Sequence, residues 1–335
     1  MSSSYRLIRG GLRYLPWRAS NPPAGTGALS AAALVRPHPP EMPRPAVDVV
    51  VPYLGPPAGM AELSGRLRRL RLAPGDTITI VDNRPDAPAD APAAHPLVVP
   101  APGRQTPGHA RNTGAGYGEA EWLVFIDADT DPPLDLLDAY FADPPEPGTG
   151  LLAGGISDDP AEQEARPPAA VRWARLTGSM SQDSTLGLGR WGFAQTANCA
   201  VRRAAFVAVG GFREELRACE DADLCYRLEA AGWTIERREQ ARVVHASRRT
   251  LRELLGQQLV HGAGIGWLER EYPGAAPAHR WPGFALWGIR RAGTGLAAAA
   301  RARDRDAALL ALLDPLVAWT RELGRSRSNT RTARA

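Results

Sequence analysis

The sequence contains no lysine, and all 40 of its basic residues are arginine. With its wealth of alanine, glycine and proline, this is the mark of a GC-rich codon bias, so proline-rich stretches are weak signals of disorder here. Cysteine is scarce. Cys199, Cys219 and Cys225 make no CxxC pair and no secreted disulfide framework, which favours a reducing cytoplasm. No run of 18 apolar residues occurs, so no spanning helix is expected. The opening MSSSYRLIRGGLRYLPWRAS has arginines but no apolar stretch of signal-peptide length. The expected location is therefore cytoplasmic, either free or peripheral to the inner face of the membrane. The net charge is +4, but the 36 acidic residues are spread among the arginines. No basic stripe is interleaved with aromatics, which argues against nucleic acid. Two nucleotide motifs are also missing: no GxGxxG follows the first expected strand, and no GxxxxGK[ST] occurs anywhere.

What is present centres on Glu121 to Asp131, EWLVFIDADTD. Trp122 to Ile126 is a continuous apolar run of the kind that forms a strand buried on both faces. It stops at Asp127-Ala128-Asp129. Ligands of open α/β sheets gather at the carboxyl ends of strands, and two carboxylates one residue apart repel unless a cation or donors neutralise them. With oxygen ligands that cation would be Mg²⁺ or Mn²⁺. The structural alternative is that Asp127 caps a helix and Asp129 is merely solvated.

The 335 residues, 44% of them hydrophobic, suit one large α/β domain with appendages or two smaller ones. Residues 1–45 read as a basic, Pro/Gly-rich leader, with a short helix near Ala28 to Val35 as the alternative. Strands are expected at Val47–Pro52, Thr77–Val81 and Leu97–Val99, the second ending in Asp82-Asn83. Helices are expected at Met60–Leu72 and Pro107–Ala120, giving a Rossmann-like half up to Asp129. Next come a strand at Gly150–Ile156, an acidic loop from Asp158 to Pro168, and helices at Val171–Met180 and Val201–Phe212. The helix Cys219–Ala231 has an acidic first turn, which the helix dipole favours. Thr234–Ile235 and Ala241–Val244 read as a hairpin-like pair ending in His245. Leu251–Leu268 is a long helix, and amphipathic arginine-rich helices follow from Trp281, with Pro315 kinking or ending one of them.

From Val47 to about Tyr272 these pieces resemble the family 2 glycosyltransferases with a GT-A fold. The resemblance rests on an ordered series: VDVVVPYLG, VDN, GHARNTGA, FIDADT, TANCAVRRAAFVAVGGF, EDADLCYRL and VVHASR. It implies an α/β fold with a Rossmann-like nucleotide-binding half, a mixed central sheet and added C-terminal helices. The implied division is a GT-A domain at 46–272, with a nucleotide-sugar half at 46–130 and an acceptor half at 131–272, and a helical extension at 273–335. By the same resemblance, Pro52 and Tyr53 lie near the nucleotide base. Asp82, with Asn83 beside it, accepts from base or ribose, and Arg111 with Asn112 helps hold the pocket. Asp129 ligates Mn²⁺ or Mg²⁺, with Asp127 on metal or ribose, and His245 completes the shell unless it is a strand-end histidine satisfied locally. Asp221 is the general base and Glu220 its neighbour at the acceptor, although helix capping would also account for that pair.

The implied activity is inverting, metal-dependent transfer of a sugar from a UDP- or GDP-sugar to an acceptor hydroxyl on a glycan, a lipid-linked acceptor or a small molecule. An acceptor hydroxyl needs a carboxylate to take its proton, and a departing diphosphate needs a cation. No Ser/His/Asp or Cys/His arrangement calls for a covalent intermediate. QQLVHGAGIGW lacks the Arg-Trp pair of processive synthases, which favours non-processive transfer. VDNRPD replaces a frequent DDGS-type turn and leaves the donor nucleotide open. The rival classes are a sugar-1-phosphate nucleotidyltransferase, which would need a basic Gly-rich loop where YLGPPAG stands, and a catalytically silent nucleotide-sugar-binding protein. The C-terminal helices could also make peripheral membrane contact.

Overall fold

The computed structural model describes residues 44–88, 95–158 and 167–331. The expected leader lies outside the described residues except for its last two positions, as does most of the acidic loop after Asp158. Eight strands form one mixed sheet: β1 Val47–Tyr53, β2 Thr77–Asp82, β3 Leu97–Pro100, β4 Trp122–Ile126, β5 Thr130–Asp131, β6 Thr149–Asp158, β7 Asn198–Arg202 and β8 Thr234–His245. Their order is β3-β2-β1-β4-β7-β6-β8-β5. The first four are mutually parallel, and β7 runs antiparallel between β4 and β6.

The helices are α1 Gly59–Leu67, α2 Pro107–Ala115, α3 Leu136–Tyr140, α4 Ala169–Thr177, α5 Gln182–Leu186, α6 Arg203–Ala208, α7 Glu220–Ala230, α8 Leu251–Glu271, α9 Trp281–Ala302 and α10 Arg305–Gly324. Alternation along the strands divides the core in two. Val47, Val49, Val51, Ile78, Ile80, Val124 and Ile126 face α1 and α3. Val50, Val81, Leu123 and Phe125 face α2, α6 and α7. Helix α2 tolerates its glycines because one of them is needed: a Cβ on Gly114 would stand 2.4 Å from Val50 Cγ1 and 2.8 Å from Val81 Cγ2. The helix thereby lies directly on β1 and β2. Asp48, buried inside β1, is satisfied by Thr77 Oγ1, the Ala120 N–H and Arg203.

Three expectations are corrected. Asn198–Arg202 is a strand, so the helix expected from Val201 starts only at Arg203; the NCAVR run is short and half apolar, and antiparallel pairing with β4 decides its state. The two short strands expected around 234 and 241 are one strand, β8, and not a hairpin. β8 pairs parallel with β6, and its register jumps from Gly154↔Arg238 to Gly155↔Arg242. The turn-like residues between are thus a bulge. A Cβ on Gly155 would lie 2.7 Å from Glu239 O, so glycine lets the bulge close over β6. Finally, of the two readings of Pro315, kinking or ending, the ending is excluded, since α10 continues to Gly324. Buried Asp314 accepts there from Trp173 Nε1 and from Arg291, tying α4 and α9 to α10.

Candidate active site

The carboxyl ends of β2, β1 and β4 share one edge of the sheet, and the acidic residues sit there. Beyond β4 the chain turns sharply, the Thr130 N–H and hydroxyl both donating to Asp127 O. Thr130 then pairs antiparallel with His245, and the Ala246 N–H donates to Asp129 O. This short pairing brings His245 from the far end of β8 to the DAD turn. Its Nε2 lies 3.3 Å from Asp129 Oδ1, and Arg248 Nη2 lies 3.4 Å from Oδ2. Asp127, Asp129 and His245 each offer a ligand atom within 4.8 Å of one another. Burial would raise the Asp129 carboxyl, but His245 and Arg248 hold it below its ordinary value. His245 Nδ1 is buried without a partner. Two carboxylates and an imidazole fit a divalent transition ion such as Mn²⁺.

On the other side stands Arg111, only 3% exposed on α2. Its Nη2 donates to Asp127 Oδ1 and its Nη1 to Glu220 Oε1, both at 2.7 Å. Burial alone would lower its pKa, but the two carboxylates carry it above the ordinary value. One buried guanidinium thus joins the β4 end to the first turn of α7. Glu220 is 7% exposed and Asp221, beside it, is partly open to solvent. Burial and the charge of Glu220 push the Asp221 carboxyl up to about 7, against the Ala222 N–H and Arg111. The helix N-terminus therefore does not keep this acid in the usual range, because two nearby carboxylates and burial outweigh one N–H.

The remaining expected residues divide. Tyr53 pairs in register with Asp82 at the ends of β1 and β2. Its hydroxyl donates to Pro56 O, and Pro52 precedes it at the strand end. Asp82 is held by Arg84 Nε and Nη2, at 2.8 and 2.6 Å. Asn83 spends its amide N–H groups on the Ala101 and Arg104 carbonyls. Asn112 is turned away from the acidic cluster, donating to Phe212 O and Glu214 and accepting from the Phe212 N–H. Sequence reasoning missed Arg84 and Arg248; for Arg248, its place three residues after His245 was the available signal. An open groove of about 480 Å³ is lined by Ser247, Arg248, Arg249 and Glu253, and so adjoins Asp129 through Arg248. The three cysteines are free, and burial raises all three thiols, which leaves no activated nucleophile among them.

The Pre-mycofactocin glycosyltransferase of Mycobacterium tuberculosis is 28% identical over 280 residues, covering 80% of this chain and 57% of its own length. The Succinoglycan biosynthesis protein ExoA of Rhizobium meliloti is 29% identical over 152 residues, or 45% of this chain and 44% of its own. The chain thus spans about half the length of the curated relatives it matches. Among solved structures, the mannosyltransferase PcManGT from Pyrobaculum calidifontis, in complex with GDP-Man and Mn²⁺, superposes with a TM-score of 0.52 over 85% of each chain at 19% identity. That likeness shows the GT-A-type fold. The sequence profile described as Glycosyl transferase family group 2 matches residues 122–319, more than half of the chain, and the chain belongs to that family.

Proposed function

We propose that the protein transfers a sugar from a nucleotide-diphosphate donor to an acceptor hydroxyl, with inversion and with a divalent cation held by Asp127, Asp129 and His245. The observation that supports this reading is the convergence of those three side chains at the ends of β4 and β8, with Arg111 joining Asp127 to Glu220, the neighbour of Asp221 on α7. A bound ion would offset the charge developing on the leaving diphosphate. Arg248, beside Asp129, lines the adjoining groove and can meet a phosphate oxygen once that carboxylate turns to the ion. Pro52, Tyr53 and the Asp82–Arg84 pair form the base side of the donor pocket. Asn83 and Asn112 hold the loops around it through their side-chain amides.

Asp221 takes the acceptor proton. A carboxylate titrating about 7 is half ionised at neutral pH, so it is both available and basic enough to act. A single displacement follows, with no covalent enzyme intermediate. Transfer is non-processive, since His261 and Gly262 stand where processive synthases carry Arg-Trp. GDP-sugars are favoured donors on the strength of the GDP-Man bound by the structural neighbour.

The acceptor is reached at a membrane surface. Helix α9 contains no Asp or Glu, carries Arg290, Arg291 and Arg301, and exposes Leu286, Ile289 and Leu296 along one stripe. A thermal-shift panel of UDP- and GDP-sugars tests the donor assignment. One of them should raise the midpoint only when Mn²⁺ is present, because a ligand of the native state stabilises it by mass action. No shift with any donor, or equal shifts without Mn²⁺, would overturn it.

A further inference from the structure

The segment after α10 returns to the loop that leads into α7. Asn329 is 1% exposed, and its side chain takes both backbone groups of Ala218: Oδ1 accepts from the Ala218 N–H at 3.1 Å, and Nδ2 donates to Ala218 O at 2.9 Å. The backbone joins in. The Arg217 N–H donates to Asn329 O, the Arg331 N–H donates to Glu215 O, and Leu216 and Thr330 form an antiparallel bridge. On its other side the same loop is held by α2, through Thr106 to Glu214 O, His109 to Glu214, and Asn112 to Phe212.

What this clamp fixes is a strained point. Cys219, next after Ala218, has φ 63 in the left-handed region and starts α7 without any side-chain cap. A non-glycine residue keeps that conformation only when its surroundings dictate it. The conformation in turn decides where the first turn of α7 points, and Glu220 and Asp221 lie in that turn. We infer that Asn329 is a positioning residue for sugar transfer. By gripping both backbone groups of Ala218 it holds the left-handed turn at Cys219, and through it the carboxylate of Asp221. The inference rests on the proposal that Asp221 is the base.

The test is a double-mutant cycle on the full chain, read as Mn²⁺-dependent hydrolysis of GDP-mannose or UDP-glucose, whichever the wild type turns over. Asn329→Ala should lower kcat about 10- to 100-fold, the loss that a displacement near 1 Å can cause, with the donor KM within about twofold of wild type. Asn329→Asp, which keeps the acceptor but loses the donor to Ala218 O, should show the same split. The double variant Asp221→Asn/Asn329→Ala should be no slower than Asp221→Asn alone, because Asn329 acts through the base. Additive losses, an unchanged kcat in Asn329→Ala, or unfolding of both Asn329 variants would overturn the inference. If Asp221→Asn itself turns over at the wild-type rate, the base assignment fails, and a kcat loss in Asn329→Ala then shows that the clamp positions some other group.

Discussion

At the scale of single residues, the site is an arrangement of charge around two arginines. Arg111 holds Asp127 and Glu220 from below, and Arg248 with His245 faces Asp129. Among the described residues no cation lies at hydrogen-bond distance from Asp221, and its carboxyl is pushed up to about 7 by burial and by Glu220. Two consequences follow from that one shift. Turnover should rise with pH through about 7 as the base ionises, and Asp221→Asn should lower kcat by roughly 10²–10⁴-fold and abolish the rise. A pH–rate profile of the two proteins checks this, and a variant as fast as wild type would count against the base. The second consequence concerns stability. Between the unfolded value, 3.8, and the folded one, the native state keeps a proton that the unfolded chain releases. Stability from this group is therefore lost as pH rises toward 7. The melting point of Asp221→Asn relative to wild type should accordingly be higher at pH 8 than at pH 5.

At the scale of elements, β1 to β4 were legible because they are short runs rich in valine, isoleucine and threonine, and β4, buried throughout, is an unbroken apolar one. Trp122–Ile126 was legible to the residue. The acidic turn after it, and the acidic start of α7, were legible as abrupt changes from apolar to charged. β8 was not legible as one strand, since charged residues interrupt it and its bulge mimics a turn. Nor could the sequence show that β5 pairs with β8, the contact that carries His245 to Asp129, because a two-residue strand leaves no periodicity. The clamp at Asn329 was equally invisible, as it joins segments more than a hundred residues apart. The bulge also sets a test. A Cβ on Gly154 would meet Asn198 Nδ2 at 2.3 Å, the Tyr140 hydroxyl at 2.4 Å and Ala241 O at 2.7 Å. Gly154→Ala should therefore cost about 1–3 kcal/mol, as overpacking does, seen as a lower urea midpoint; an unchanged midpoint would show that the bulge yields freely.

At the scale of the whole molecule, the candidate site lies along one edge of the sheet, and α8, α9 and α10 pack together beside α4. α10 packs on α4 and α8 through Leu313, Val317 and Trp173, leaving α9 outermost. Among the described residues no helix is long and apolar enough to cross a membrane. Surface contact is a different matter: Ile289 on α9 is 63% exposed and Leu312 on α10 is 53% exposed, with arginines nearby and no acidic residue on α9. Full-length protein should float with anionic vesicles at low salt, and Leu286→Asp/Ile289→Asp should stay in the soluble fraction. Equal flotation of both would show that this face is not the contact.

The central proposal is sugar transfer that depends on a divalent ion at the DAD turn. The direct measurement follows the products of GDP-mannose and UDP-glucose with Mn²⁺, for wild type and for Asp129→Ala of matched circular dichroism. The wild type should release free sugar and nucleoside diphosphate from one donor, while EDTA and Asp129→Ala should each reduce that release to background. Release of nucleoside monophosphate and sugar 1-phosphate in place of nucleoside diphosphate and free sugar, or equal turnover by Asp129→Ala, would contradict it.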